Sequence, residues 1–315
     1  MNRLHPIIAT VVLVCGSLFL TSGLSCSRTE RKPKETAQDG AKKSIYVVNY
    51  PLKYFARRIA GEKAKVLFPA PAEGDPAFWT PDKQTILAYQ QADLILLNGA
   101  TYAKWVAKAT LPESKLVDTS AGFKDSYIVI KEDVVHTHGP GGMHWHAGTD
   151  FNTWVDPQQA ILQASVVRDA LSKLIPEHAA LFQQNFNALK QDLQDLDADL
   201  KKVMSGYNKQ PLVASHPVYN YLARHCGWNL KSMHWEPDEM PDETEWKKLD
   251  KLIEEHAAKW MIWEGSPKEE IVEKLKQHGV GSAIFDPCGN VPARGDYMEV
   301  MRQNVERLKP VFQAP

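Results

Sequence analysis

Phe182-Gln-Gln-Asn-Phe186-Asn-Ala-Leu189-Lys-Gln-Asp-Leu193-Gln-Asp-Leu196-Asp-Ala-Asp-Leu200-Lys-Lys-Val203 spaces its apolar residues 4, 3, 4, 3, 4 and 3 apart. That spacing draws one apolar stripe along an α-helix. Pro176 suits a first helical turn and Gly206 a stop, so the expected helix spans 176–206, roughly 45 Å at about 1.5 Å per residue. A coiled-coil seam has the same signature. The stripe covers only about three heptads and lies between two α/β segments, which favours a connecting rod docked on both.

Working outward, short buried strands alternate with helices on either side of the rod. Ile45–Tyr50, Lys65–Phe68, Leu94–Leu97 and Lys115–Asp118 read as strands, with helices at Tyr54–Ile59 and Pro81–Gln91. After the rod come strands at Leu212–Ala214, Trp260–Trp263 and Ala283–Phe285, with helices at Asp242–His256 and Pro267–His278. This alternation predicts an α/β protein with two parallel-sheet lobes joined by a long rigid helix. The expected lobes are 44–175 and 207–315, with a ligand cleft between them.

Ligands of open α/β sheets collect at the carboxyl ends of the strands. Asp75 and Trp79 follow the second strand, His216 follows Leu212–Ala214, Glu264 follows Trp260–Trp263, and Asp286 follows Ala283–Phe285. Each alone suits a cap or turn. One imidazole and two carboxylates at equivalent positions of one lobe form a candidate site facing the cleft.

A second concentration of chemistry lies in His136-Thr-His138-Gly-Pro-Gly-Gly-Met-His144-Trp-His146. Four of the eleven histidines fall in this glycine-rich stretch. Neutral imidazole is the commonest protein metal ligand, and glycine lets a loop wrap an ion. The tract has the composition of an accessory metal-binding loop, and equally that of a solvated polar loop.

Residues 1–25 have the order of a secretory signal peptide: Arg3, an apolar run from Ile7 to Leu20, then small residues. An uncleaved anchor is the rival, since Pro6–Leu24 is barely long enough to span a bilayer. Cys26 closes the small-residue stretch as in a bacterial lipobox, although Gly23 occupies the usual leucine position. Cys26 is therefore the expected lipid anchor and 26–43 a polar tether without apolar periodicity. A formal net charge of −1 gives no electrostatic footprint for nucleic acid. Cys226 and Cys288 remain in the folded part, either as a disulfide or as two separate thiols.

Five blocks, in order and spacing, resemble the solute-binding proteins of bacterial ABC importers for zinc and manganese. They are Val47–Ala56, Ala92–Gly99, Thr153-Trp-Val-Asp-Pro157, Ala214-Ser-His-Pro-Val-Tyr-Asn-Tyr-Leu-Ala-Arg224 and Phe285-Asp-Pro287. The resemblance covers nearly all of Ser44–Phe312. It implies two α/β lobes, a rigid joining helix, one metal ion between the lobes and a His-rich loop where 136–146 lies. Zinc, or manganese, would be cargo rather than catalyst. An ABC permease and its ATPase would be partners, with a lipid anchor on the membrane and a monomeric, extracytoplasmic binding protein.

The implied four-ligand set is only half present. Ala77 stands where the family has a histidine after Asp-Pro, and Asn152 stands for a second histidine; His216 and Asp286 match the third and fourth. Alanine cannot coordinate, and an amide oxygen is a poor zinc donor beside imidazole. Repair by Glu264 with Asn152, by a histidine of the 136–146 loop, or by Cys288 stays open. Trp79 and Trp154 are candidate cleft-lining aromatics; Phe78, Trp235 and Trp263 also fall near blocks that could face the cleft, but side chains of this size are better suited to the lobe cores, Trp79 excepted. Aromatic walls also suit an organic or chelated cargo. A metallohydrolase with Glu264 as base is the remaining alternative. The sequence contains no His-Glu-x-x-His helix, serine elbow or phosphate loop to support it.

Overall fold

A computed structural model describes residues 42–130, 135–137, 143–145, 148–207 and 209–313. The signal peptide, Cys26 and nearly all of the tether, like His138 and His146, lie outside the described residues. No helix among the described residues is long and apolar enough to cross a membrane.

The first lobe is built on β1 (Lys43–Val47), α1 (Tyr50–Ala60), β2 (Ala64–Leu67), α2 (Lys83–Gln91), β3 (Leu94–Leu97) and β4 (Leu116–Asp118). Its four strands are all parallel, in the order β2-β1-β3-β4. The strand expected to reach Tyr50 stops at Val47. Asn49 instead caps α1, its side chain accepting from the Leu52 amide, and Pro51 pre-sets the first turn. Two small antiparallel pairs follow: β5 (Val129–Ile130) with β8 (Gly148–Thr149), and between them β6 (Val135–Thr137) with β7 (Met143–Trp145).

Two helices, not one, cross the middle. α3 (Pro157–Leu174) was not visible as a separate element; it is followed by a 3-10 turn at Pro176–His178 and then by α4 (Ala179–Val203). The expected single helix over 176–206 is therefore shorter. Pro176 opens the turn rather than the α-helix, and Gly206 lies beyond the end in a left-handed conformation (φ +88°). At 25 residues, α4 runs about 37 Å. Its stripe is buried as the spacing requires: Phe182, Phe186, Leu189, Leu193, Leu196 and Leu200 are at most 5% exposed. Each such burial contributes about 1.5–3 kcal/mol.

The second lobe contains β9 (Pro211–Ala214), α5 (Asn220–Cys226), β10 (Asn229–Ser232), α6 (Glu243–His256), β11 (Trp260–Trp263), α7 (Glu269–Gln277), β12 (Gly281–Ile284) and α8 (Tyr297–Leu308). Its sheet is again all parallel, ordered β10-β9-β11-β12. Alternating side chains serve opposite faces. Ile262 joins the main core, whereas Met261 and Trp263 join a smaller one with Trp235 and Trp246. Trp235 and Trp263 thus fill this core rather than the cleft.

Polar side chains fasten the lobes together. Trp154 Nε1 donates to Pro287 O at 2.8 Å, Tyr297 Oη to Trp154 O at 3.0 Å, and Tyr221 Oη to Asp150 O at 2.8 Å. Asn290 Nδ2 donates to the carbonyls of Pro71 and Gly74, both at 2.9 Å. α4 is tied to the first lobe by Arg58–Asp192 at 2.7 Å and to α5 by His225 Nε2–Asp197 Oδ1 at 2.6 Å.

Candidate metal centre

Every strand of the second sheet is followed by ligand-type side chains just past its carboxyl end. β10 is followed by His234 and Glu236, β9 by His216, β11 by Glu264 and β12 by Asp286. Strands lie about 4.8 Å apart. Residues from the three adjacent strands β10, β9 and β11 can therefore meet at a point, while the fourth falls to one side. The structure follows this logic. One donor atom each from His216, Glu236 and Glu264 lies within 4.8 Å of the other two. His216 Nδ1 is 3.4 Å from Glu236 Oε1 and 4.0 Å from Glu264 Oε1. Two donors of a tetrahedral zinc, each about 2.1 Å from the metal, stand about 3.4 Å apart. The first pair has this spacing already, and the second needs to close by roughly half an ångström.

The backbone holds the trio in place. Ser215 N donates to Ile262 O at 2.8 Å, and Trp235 N to Ser215 O at 2.7 Å, locking the segments after β9, β10 and β11 together. His216 is 3% exposed, and the His234 ring stands edge-on to it, 5.6 Å between centroids. Burial, followed by the charges of Glu236, Asp75 and Asp286, pushes the Glu264 carboxyl up to about 8. A cation placed among these groups would relieve that repulsion.

The trio opens on a cavity of about 1140 Å³ between the lobes. Asp286 and Asn152 both line it, outside the converging set. Asp286 Oδ1 accepts from the Cys288 amide at 2.7 Å, and burial raises its carboxyl. Asn152 turns its amide nitrogen to Asp150 Oδ1 at 3.1 Å. Trp79 and Trp154 are on the cavity wall, with Phe78.

The first lobe presents no imidazole here among the described residues. Amides beyond its strand ends are satisfied within the protein instead: Asn98 Oδ1 accepts from Asn49 Nδ2 at 3.0 Å and from Gln163 Nε2 of α3 at 3.2 Å. Asp75 does line the cavity, its Oδ1 accepting from the Ala77 amide at 2.8 Å.

Cys288 and Cys226 are both buried, and no disulfide joins them. Cys288 is absent from the cavity wall and from the converging donor set, and burial raises its thiol. In the His-rich segment, His136 and His144 are directly paired residues of the β6–β7 ladder.

Glu236 was missed from sequence. β10 reads Asn-Leu-Lys-Ser, a polar edge strand with no hydrophobic run to announce it. With that strand recognised, the strand-end rule points to His234 and Glu236, and only the convergence with His216 and Glu264 singles out Glu236.

Two parallel-sheet lobes thus enclose a cleft with a donor cluster on its second-lobe side. The family model for the zinc-uptake complex component A, periplasmic, matches residues 45–311, and the chain belongs to that family. The zinc-binding protein AdcA of Streptococcus pyogenes serotype M3 is 26% identical over 294 residues, covering 88% of this chain and 57% of AdcA. The zinc-binding lipoprotein AdcA of Streptococcus pneumoniae R6 is 26% identical over 311 residues, covering 95% and 60%. The chain thus spans about three-fifths of these curated relatives. Among solved structures, the Zn(II)-bound ZnuA-like domain of S. pneumoniae AdcA superposes with a TM-score of 0.72 at 22% identity, covering 86% of this chain and all of that one. The metal-dependent lipoprotein YcdH of Bacillus subtilis gives 0.72 at 21% identity, covering 85% and 99%. These structural likenesses concern the fold.

Proposed function

We propose that the chain is the extracytoplasmic zinc-capturing component of an ABC importer, held to the membrane through lipidated Cys26. The observation that carries this reading is the convergence of His216, Glu236 and Glu264 on the cleft, one donor atom of each within 4.8 Å of the others. One imidazole and two carboxylates are a mixed nitrogen and oxygen set of the kind zinc accepts. Two ionised carboxylates balance the dication, so the loaded site is neutral. Glu236 and Glu264 together replace what Ala77 and Asn152 no longer supply, and the site moves wholly onto the second lobe. Asp286 and Asn152 stand close enough to the cavity to hold water or tune charge around the ion. The β6–β7 segment with His136, His138, His144 and His146 is an accessory collector of zinc.

On this reading the chain works as a monomer, hands its ion to a permease powered by an ATPase, and turns over no substrate. Both carboxylates beside His216 serve as ligands, which leaves Glu264 unsuited to act as a hydrolytic base. The fastened lobes make release a matter of local side-chain motion rather than domain opening.

Zinc titration of chelator-stripped protein tests the proposal. One tight site is expected, lost in His216→Ala and weakened in Glu236→Gln. Affinity unchanged in both variants would place zinc elsewhere.

A further inference from the structure

The trio holds zinc from one side only, and the wall opposite is built for something other than a metal ion. A zinc ion with six waters takes about 180 Å³ at about 30 Å³ per water. The cavity of about 1140 Å³ is several times larger. Its first-lobe wall contributes Phe78, Trp79 and Phe151 to the lining. Such an aromatic surface suits organic matter rather than a hydrated cation.

Two polar groups on that wall point to what the organic part carries. Tyr102 lines the cavity, is 2% exposed, and its hydroxyl has no hydrogen-bond partner among the described residues. Burial raises the phenol well above its ordinary value, so it keeps its proton and is a donor in search of an acceptor. Lys104 lines the same wall, its Nζ 4.4 Å from the centre of the Phe78 ring. The remaining charge is lopsided: among the described residues the lining has eight carboxylate side chains against this one lysine. Such a lining favours a cargo of net positive charge with no more than one anionic group to offer Tyr102 and Lys104. Asp75, whose charge reaches both of them, disfavours a second such group.

We propose that the cavity takes zinc as a complex with a small amino-acid-type chelator, its nitrogen donors on the open side of the metal and its single carboxylate reaching Tyr102 and Lys104. This rests on the zinc reading above. A one-to-one complex of zinc with a monoanionic amino acid bears one positive charge, which matches the lining. The chelator also supplies the donors lost with the first-lobe histidines.

The full chain, stripped of metal, is examined by native mass spectrometry and tryptophan fluorescence with zinc alone, zinc plus L-histidine, and zinc plus citrate. A species with one zinc and one histidine per chain, bound at least about tenfold more tightly than zinc alone, is expected; citrate, with its extra carboxylates, forms no such species. Tyr102→Phe weakens the histidine-containing complex about tenfold, as loss of a charge-assisted hydrogen bond does, and moves the zinc-alone affinity less than about twofold. Lys104→Met does the same and covers the case in which Tyr102→Phe fails to fold. The proposal is overturned if only zinc is retained whatever chelator is present, or if both variants leave the histidine effect intact. Zinc-histidine binding without binding of zinc alone supports it. Retention of no zinc in any condition rejects the zinc reading itself, and the inference with it.

Discussion

Replacing Glu264 by glutamine isolates a single proton in zinc capture. With its carboxyl pushed up to about 8 by burial and by Glu236, Asp75 and Asp286, Glu264 is protonated in the metal-free protein at neutral pH. A group with a pKa of about 8 is about nine-tenths protonated at pH 7 and about one-tenth at pH 9. Zinc must displace that proton to bind the carboxylate. The wild type therefore releases about 0.9 more protons per zinc at pH 7 than Glu264→Gln, and about 0.1 more at pH 9. Expressed as affinity, this group alone tightens binding about tenfold per pH unit between pH 6 and 7, levelling off above pH 8. Calorimetry in buffers of different ionisation heat counts the protons directly. An equal count in wild type and variant at pH 7 would mean that Glu264 is not a ligand, or that it is already ionised.

The same carboxyl makes stability depend on pH with a definite sign. The folded, metal-free chain keeps this proton up to about 8, whereas the unfolded chain releases it near the ordinary 4.5. The native state thus binds more protons in that window, and its stability falls as pH rises through it. Thermal melts should show wild type losing ground to Glu264→Gln between pH 5 and 8; parallel curves would exclude the effect. Glu236→Gln is expected to weaken zinc by at least about tenfold and Asp286→Asn by only about two- to threefold, since Asp286 lies outside the converging trio; competition with a fluorescent zinc chelator measures both, and the reverse order would refute the geometry. Zinc at about one hundred times its Kd adds about 2.7 kcal/mol to folding stability and should raise Tm by about 5 °C or more. Asp197→Ala should destabilise the chain by about 2–4 kcal/mol, read by urea melts, because it strips Lys201, His225 and Gln158 of one shared, mostly buried acceptor; a loss below about 0.5 kcal/mol would show the cluster to be dispensable.

Patterns that depend on burial were legible in the chain. The stripe from Phe182 to Val203 is one face of α4, and the run Leu94–Leu97 is a central strand of a sheet covered on both faces, which buries the consecutive residues Leu94, Ile95 and Leu96. Elements stabilised by contacts rather than by their own pattern were not. α3 buries Gln159 and Gln163 on its inner side, so its periodicity is blurred by polar residues; Gln163 is there to bond Thr119 and Asn98. β10 is an edge strand with alternate exposed residues, and its invisibility hid Glu236.

The site shows the same division. His216, Glu264 and Asp286 were findable because each follows a recognisable strand. Their ranking was not, because convergence depends on strand order, and β10-β9-β11-β12 is a property of the fold rather than of the chain sequence. That order sets Glu236, His216 and Glu264 on adjacent strands and moves Asp286 aside. Trp235 and Trp263 follow the size argument that sends such aromatics to the lobe cores: alternation along β11 turns Trp263 into the smaller core, where Trp235 joins it.

Anomalous diffraction at the zinc edge from crystals of the zinc-loaded chain examines the cluster with the least inference. A single strong peak within bonding distance of His216, Glu236 and Glu264 is the expected result. A peak held by Asp286 and Asn152 without Glu236, or confined to the His136–His146 segment with the three-strand cluster empty, would contradict the account.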